Sequence, residues 1–316
     1  MAIESLPEEH EGAKLKLVFG ILFLILVIGL LVVYWIVPRG SIVNLINSHG
    51  EFLSCSNYEF GNDSDIQFYK NMRYVDSHIS YKIEDCPIGK TLEMKNAFYE
   101  IENETILSFY EVYDNEEITV TCDSKSRLED GMFIAGEGGP SNITKLSSSH
   151  VILNGKVLLI RQSTCERPVV AIHELFHALG FTHSNNVCNI MYNFSGCNQR
   201  IGDDMINLLD QLYSYQPLPD LKIEDLSGKI NKEYLDLNFT IQNDGLLDSE
   251  SFVVEIYSNK KLVKELDMSK IHFGTGATLI LKNLQTRVGD TQIKVMIKYD
   301  SAELNKSNNV GELFLS

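Results

Sequence analysis

Apolar positions along this chain fall into several distinct patterns. Leu17 to Val37 is an unbroken apolar run with no charged side chain. At about 1.5 Å per residue, 21 helical residues match a hydrocarbon core roughly 30 Å thick, so residues 17–37 are predicted to be a transmembrane helix. Tyr34 and Trp35 near its end suit the headgroup interface. A cleavable signal peptide has a shorter apolar region followed by small residues. Tyr34-Trp35-Ile36-Val37-Pro38-Arg39 offers no such site, so the run reads as a retained anchor.

Farther on, the period changes. His78–Ile83 reads as a strand, and Ile118–Cys122 alternates as a second one. Met94, Ala97, Phe98 and Ile101 recur at i, i+3, i+4, i+7, one face of a helix. Asp203-Asp204-Met205 opens another helix, with Ile206, Leu209 and Tyr213 on one side and Asp203 as the expected N-cap. After Pro217 and Pro219 only alternation remains: Tyr234–Ile241, Phe252–Tyr257, Thr278–Leu281 and Gln292–Ile297. Asn243-Asp244-Gly245 and the Gly274–Gly276 region supply turns. That spacing predicts an all-β sandwich.

One stretch carries chemistry: His173-Glu174-Leu175-Phe176-His177-Ala178-Leu179-Gly180-Phe181-Thr182-His183. His173 and His177 are four apart, so on a helix both project from one face and can grip one ion. Gly180 can end that helix at positive φ and turn the chain back, bringing His183 round as a third ligand. Three protein ligands leave a fourth position open, the arrangement of a catalytic zinc. Glu174, beside the first ligand, is placed to take a proton from an activated water.

This pattern resembles the metzincins, zinc proteases with HExxHxxGxxH followed by a methionine turn. The expected turn is Asn189-Ile190-Met191-Tyr192, where Met191 forms an apolar floor and not a ligand. The stretch around 78–122, including Thr105–Val112, and the closing helix from Asp203 resemble the matrixin branch. The resemblance implies an α+β catalytic domain: a mixed sheet, an active-site helix and a C-terminal helix. It also implies a protein or peptide substrate lying extended along an edge strand. Met132–Gly136 is the expected edge, because it precedes a Gly-rich bend and matches the matrixin position loosely. Residues 192–200, Phe194 among them, are expected to line the pocket beyond the cut. The His- and Asp-rich loop that holds structural zinc and calcium in matrixins has no counterpart in residues 126–165, which contain only His150 and a few acids. One catalytic zinc is therefore expected, and calcium is left open. Asn193, two places after Met191, does not supply the tyrosine ligand of other metzincin branches. No cysteine-switch propeptide is recognisable ahead of the domain.

The module after Pro217 resembles the CARDB family of immunoglobulin-like domains, through Pro219-Asp220-Leu221, Asn243-Asp244-Gly245 and Asp300 to Asn308-Asn309. It implies a spacer or adhesive role and a surface protein partner. The expected organisation is a cytoplasmic tail (1–16), a transmembrane helix (17–37), a juxtamembrane stalk (38–72), a matrixin-like domain (73–216) and a β-sandwich (217–316).

Charge and cysteines refine this picture. The net charge of −16 argues against nucleic acid, which needs a basic footprint. Lys14 and Lys16 precede the apolar run and Arg39 follows it, a bias that puts the N-terminus inside and the rest outside the cell membrane. Six cysteines, all between 55 and 197, suggest up to three disulfides in an oxidising compartment. Fifteen pairings are open, and Cys188 with Cys197 is the favoured one, as a local brace around Met191. Sequons at Asn62, Asn103, Asn142, Asn193, Asn238 and Asn305 are compatible with that location. The expected function is a membrane-anchored, extracytoplasmic zinc endopeptidase. The alternative is a catalytically inactive adhesion or scaffold protein that binds through its β-sandwich.

Overall fold

The computed structural model describes residues 20–24, 26–28, 55, 66–125, 127–129 and 132–315. The chain divides into two compact units, Met1–Leu53 and Ser54–Ser316. In the first, residues 20–24 and 26–28 are helical; the tail and the rest of the expected span 17–37 lie outside the described residues. Among the described residues no helix is long and apolar enough to cross a membrane.

The second unit begins with an eight-strand set: β1 (Met72–Tyr74), β2 (His78–Ile83), β3 (Ser108–Glu111), β4 (Ile118–Cys122), β5 (Arg127–Glu129), β6 (Met132–Ile134), β7 (Gly136–Lys145) and β8 (His150–Leu159). Five of these pair in parallel in the order β1-β8-β4-β2-β3. Parallel neighbours need a crossover, and the helix Ile88–Glu104 supplies it between β2 and β3. Its Met94, Ala97, Phe98 and Ile101 are buried, the face that the periodicity picks out. β7 runs antiparallel along the full length of β8 and pairs with no other strand among the described residues, so it forms the sheet's edge. The helix Val169–Ala178 packs against β7 and β8 and is buried on every side. A closing helix, Asp203–Leu212, buries Met205 and Leu209.

Three expectations need correction. The edge strand is Gly136–Lys145, not Met132–Gly136; Met132–Ile134 pairs instead with Arg127–Glu129 in a two-stranded hairpin. A glycine run reads as a bend in sequence, yet here it is strand, for a reason that lies in the metal centre. The N-cap of the closing helix is Gly202, and Asp203 is its first residue, where a carboxylate still favours the positive helix end. Finally, Cys188 pairs with Cys55 and Cys197 with Cys165, while Cys86 pairs with Cys122. The loop from 188 to 200 is closed by backbone: Arg200 N–H donates to the Cys188 carbonyl and Ile190 N–H to the Arg200 carbonyl. Cys197 is left on the Gly196–Gln199 turn, against Cys165 ahead of the buried helix.

From Leu221 the chain forms two packed sheets: β9 (Leu221–Asn231), β10 (Tyr234–Asn243), β11 (Phe252–Ser258), β12 (Lys261–Met268), β13 (Gly276–Gln285), β14 (Gln292–Lys298) and β15 (Val310–Phe314). Their orders are β13-β10-β9 and β12-β11-β14-β15. Leu235, Leu237, Phe239 and Ile241 face Val254, Ile256, Ile293 and Val295 in one apolar core. The sandwich rests on the turn between β7 and β8. Leu246 packs with Leu146 and Val151, and the Ser147 N–H donates to Asp244 Oδ1 at 2.8 Å. Gly274, at φ +70°, lies against Thr144; a Cβ there would sit 2.2 Å from Thr144 Cγ2.

The Cys86–Cys122 bond ties the end of β2 to the end of β4 across a 36-residue separation. By chain-entropy reasoning, replacing both by serine should cost about 3–4 kcal/mol, measured by urea denaturation with the other two bonds intact.

Candidate metal centre

The buried helix presents His173 and His177 one turn apart, and Gly180 then reverses the chain. Its φ is +96°, and a Cβ there would meet Met72 Cγ at 2.7 Å, so only glycine makes this turn. The Gly180 N–H bonds the His177 carbonyl and the Phe181 N–H the Phe176 carbonyl, delivering His183 to the site. The three imidazoles offer ligand atoms within 4.8 Å of one another.

The hydrogen bonds of the rings decide their protonation. His173 Nδ1 lies 2.7 Å from the Ile190 carbonyl, and His177 Nδ1 lies 2.8 Å from the Phe181 carbonyl. A carbonyl only accepts, so each Nδ1 carries the proton. Burial pushes both imidazoles down to about 4, which keeps them neutral. Their Nε2 atoms therefore point lone pairs inward. His177 Nε2 stands 3.1 Å from both His173 Nε2 and His183 Nε2. The lone pairs of His173 and His177, 3.1 Å apart, repel unless a cation lies between them. Tetrahedral zinc with bonds of ~2.0–2.1 Å spaces its nitrogens about 3.3 Å apart, so the donor set fits zinc.

Ile190 precedes Met191, which is buried; the Met191 N–H bonds Asn189 Oδ1 and its carbonyl accepts from Ser184 N–H. The expected methionine turn is thus joined to the ligand helix through the His173–Ile190 bond. Phe194 is half exposed beside Tyr192.

Glu174 is buried, and burial, with Glu137 nearby, pushes its carboxyl up to about 8. A divalent cation held by the histidines would oppose that shift. The edge strand lies directly on this residue. A Cβ on Gly136 would come within 2.6 Å of Glu174 Cγ, and one on Gly138 within 2.1 Å of the Glu174 carbonyl oxygen. The glycines at 136 and 138 are what let β7 pass over the helix. Their spacing, two apart on one face of a strand, was the available signal for the edge.

The Matrixin peptidase family matches residues 73–214, and the CARDB family matches residues 218–312. The chain joins a matrixin domain to a CARDB domain. Solved structures similar to it include the CARDB domain of a Pyrococcus furiosus protein in complex with di-metal ions. That match is 23% identical, covers 31% of this chain and 88% of that one, and has a TM-score of 0.28. The solution structure of the same Pyrococcus furiosus domain is 23% identical, covering 32% of this chain and 95% of that one at a TM-score of 0.29. No curated protein matches the chain. A matrixin domain brings the expectation of a zinc metalloprotease acting on a peptide or protein.

Two predictions follow from the burial of this matrixin site. Gly138→Ala drives a methyl into backbone that cannot yield, and should destabilise the domain by about 1–3 kcal/mol, read from thermal unfolding. The second concerns pH. His173 and His177 bind protons less readily folded than unfolded, so their share of stability is full above their ordinary value of 6.5 and drains as pH falls toward about 4. Glu174 works oppositely: its share is full below 4.5 and is lost as pH rises through about 8. Two imidazoles outweigh one carboxyl below 6.5, and the carboxyl acts alone above it. Chelator-treated protein should therefore have its highest melting temperature near pH 6.5, and added zinc should raise that temperature most on the alkaline side.

Proposed function

We propose that this chain is a zinc-dependent endopeptidase in which His173, His177 and His183 hold one zinc and Glu174 is the general base. The observation that carries this reading is the convergence of three inward imidazole nitrogens, two with their outer nitrogens bound to carbonyls, beside a buried carboxyl. Zinc, when bound, supplies Lewis acidity that polarises a scissile carbonyl and acidifies a water. Glu174 accepts the proton of the attacking water and passes it to the leaving amine. Burial favours its protonated form, which helps the second transfer, while the cation favours its carboxylate, which helps the first.

The free edge of β7 takes the substrate as an added strand. Pro140 has no N–H, so the alternate residues of Gly136–Gly139 that point away from β8 supply the donors and acceptors nearest Glu174. Glycine at 136, 138 and 139 leaves Glu137 as the one side chain on that stretch. Residues 17–37 anchor the enzyme in a membrane with the catalytic domain outside the cytoplasm. Their uncharged apolar length supports this, as do three disulfides, which persist in oxidising compartments.

Purified full-length protein should contain about one zinc per chain and cleave a mixed peptide library. Glu174→Gln should keep the zinc and lose cleavage by about two to four orders of magnitude. Cleavage that survives in Glu174→Gln would remove Glu174 from the mechanism, and a zinc-free protein would remove the site.

A further inference from the structure

The matrixin match begins at Arg73, yet the chain just ahead of it is built into the metal centre. The Phe68 N–H donates to the Gly180 carbonyl at 3.0 Å, and the Thr182 N–H donates to the Ile66 carbonyl at 2.9 Å. Gln67 and Phe181 form the antiparallel bridge between them. Residues 66–68 thus pair with the turn that swings His183 into place. The same turn is gripped from inside by Met72, whose side chain fills the space a Cβ on Gly180 would take. Gln67 locks the two contacts together: its Oε1 accepts from Met72 N–H and its Nε2 donates to the Met72 carbonyl at 2.7 Å.

Phe68 lies over a ligand. Its ring centroid is 5.8 Å from that of His177 with the planes 29° apart, an offset stack, and it is 43% exposed, so part of the ring lies against the imidazole and the rest meets solvent. The far end of the segment is fastened too. Asn71, at φ +55°, donates from Nδ2 to the Ser148 carbonyl, and its own carbonyl accepts from His150 N–H at the start of β8. The short piece is held to the sheet at one end and to the Gly180 turn at the other.

We propose that Ile66–Met72 is a positioning clamp of the metal centre, with Phe68 shielding His177 and Gln67 fixing the Gly180 turn. The inference rests on the zinc reading above. Neither residue supplies a ligand; both act through groups that do. Partners that orient a ligand or limit solvent access around a metal typically change affinity by tenfold or more when lost.

The test is the rate at which full-length protein, loaded with zinc, surrenders the metal to a colorimetric chelator at 25 °C, well below unfolding. Phe68→Ala should release zinc about tenfold faster than the wild type at unchanged stoichiometry, and Phe68→Tyr should behave like the wild type. Gln67→Ala, which leaves the apolar packing intact, should also accelerate release. A purely structural role would lower the melting temperature of these variants and leave the release rate alone, and that result overturns the clamp. If Phe68→Ala does not fold, wild-type release from Gln67→Ala overturns it equally. A wild-type chain that takes up no zinc overturns the zinc reading, and the clamp with it.

Discussion

The hydrogen bonds from His173 Nδ1 to the Ile190 carbonyl and from His177 Nδ1 to the Phe181 carbonyl set the terms for everything around them. They fix the tautomer of each ring, and so fix which nitrogen faces inward. Both carbonyls belong to chain that comes after the helix: one to the reversal behind Gly180, the other to the turn before Met191. The helix Val169–Ala178 cannot orient its own histidines. It depends on a loop that leaves it, doubles back, and is itself braced by the Ile190–Arg200 backbone bond and the Cys165–Cys197 disulfide.

Burial raises the stakes of this arrangement. Every residue of the helix Val169–Ala178 is buried, including two imidazoles and a carboxyl. Ionisable groups in such a place must stay neutral or find a charge to answer them. That explains why the edge strand can lie so close. With glycines at 136 and 138, backbone alone covers that side of Glu174. The same closeness that lifts the Glu174 carboxyl makes its protonation sensitive to a nearby cation.

How much of this was readable in the sequence depended on where each element sits. The ligand helix and its turn were legible because the spacing of His173, His177, Gly180 and His183 states the geometry directly. Interior strands were legible as well: β10, β11 and β14 have partners on both sides, and their apolar alternation is clean. The edge strands β9 and β12 were not, because lysines and glutamates on their exposed positions blur the period, and β15 was not because apolar Val310 and Phe314 sit on its exposed positions. β7 was displaced by a few residues for a related reason, since glycines chosen for close approach look like a bend. The disulfide partners were illegible on principle: pairing depends on which loops the fold brings together, and proximity in sequence favoured Cys197 for a cysteine that meets Cys55. Phe68 and Gln67 left no local signal, because their role comes from a pairing 112 residues or more down the chain with the Gly180 turn.

The interleaving of the three disulfides has a consequence for biosynthesis. Cys55 and Cys188 are 133 residues apart, and Cys86, Cys122 and Cys165 all lie between them. A chain emerging N-terminus first presents Cys55 to an oxidant alongside Cys86, long before its true partner is made. Pairing in order of appearance would join Cys55 to Cys86 and Cys122 to Cys165, neither of which is native. The matrixin domain must therefore either gather its sheet before its thiols are oxidised or pass through thiol–disulfide exchange, and the yield of natively paired protein becomes a matter of the isomerase available where it is made.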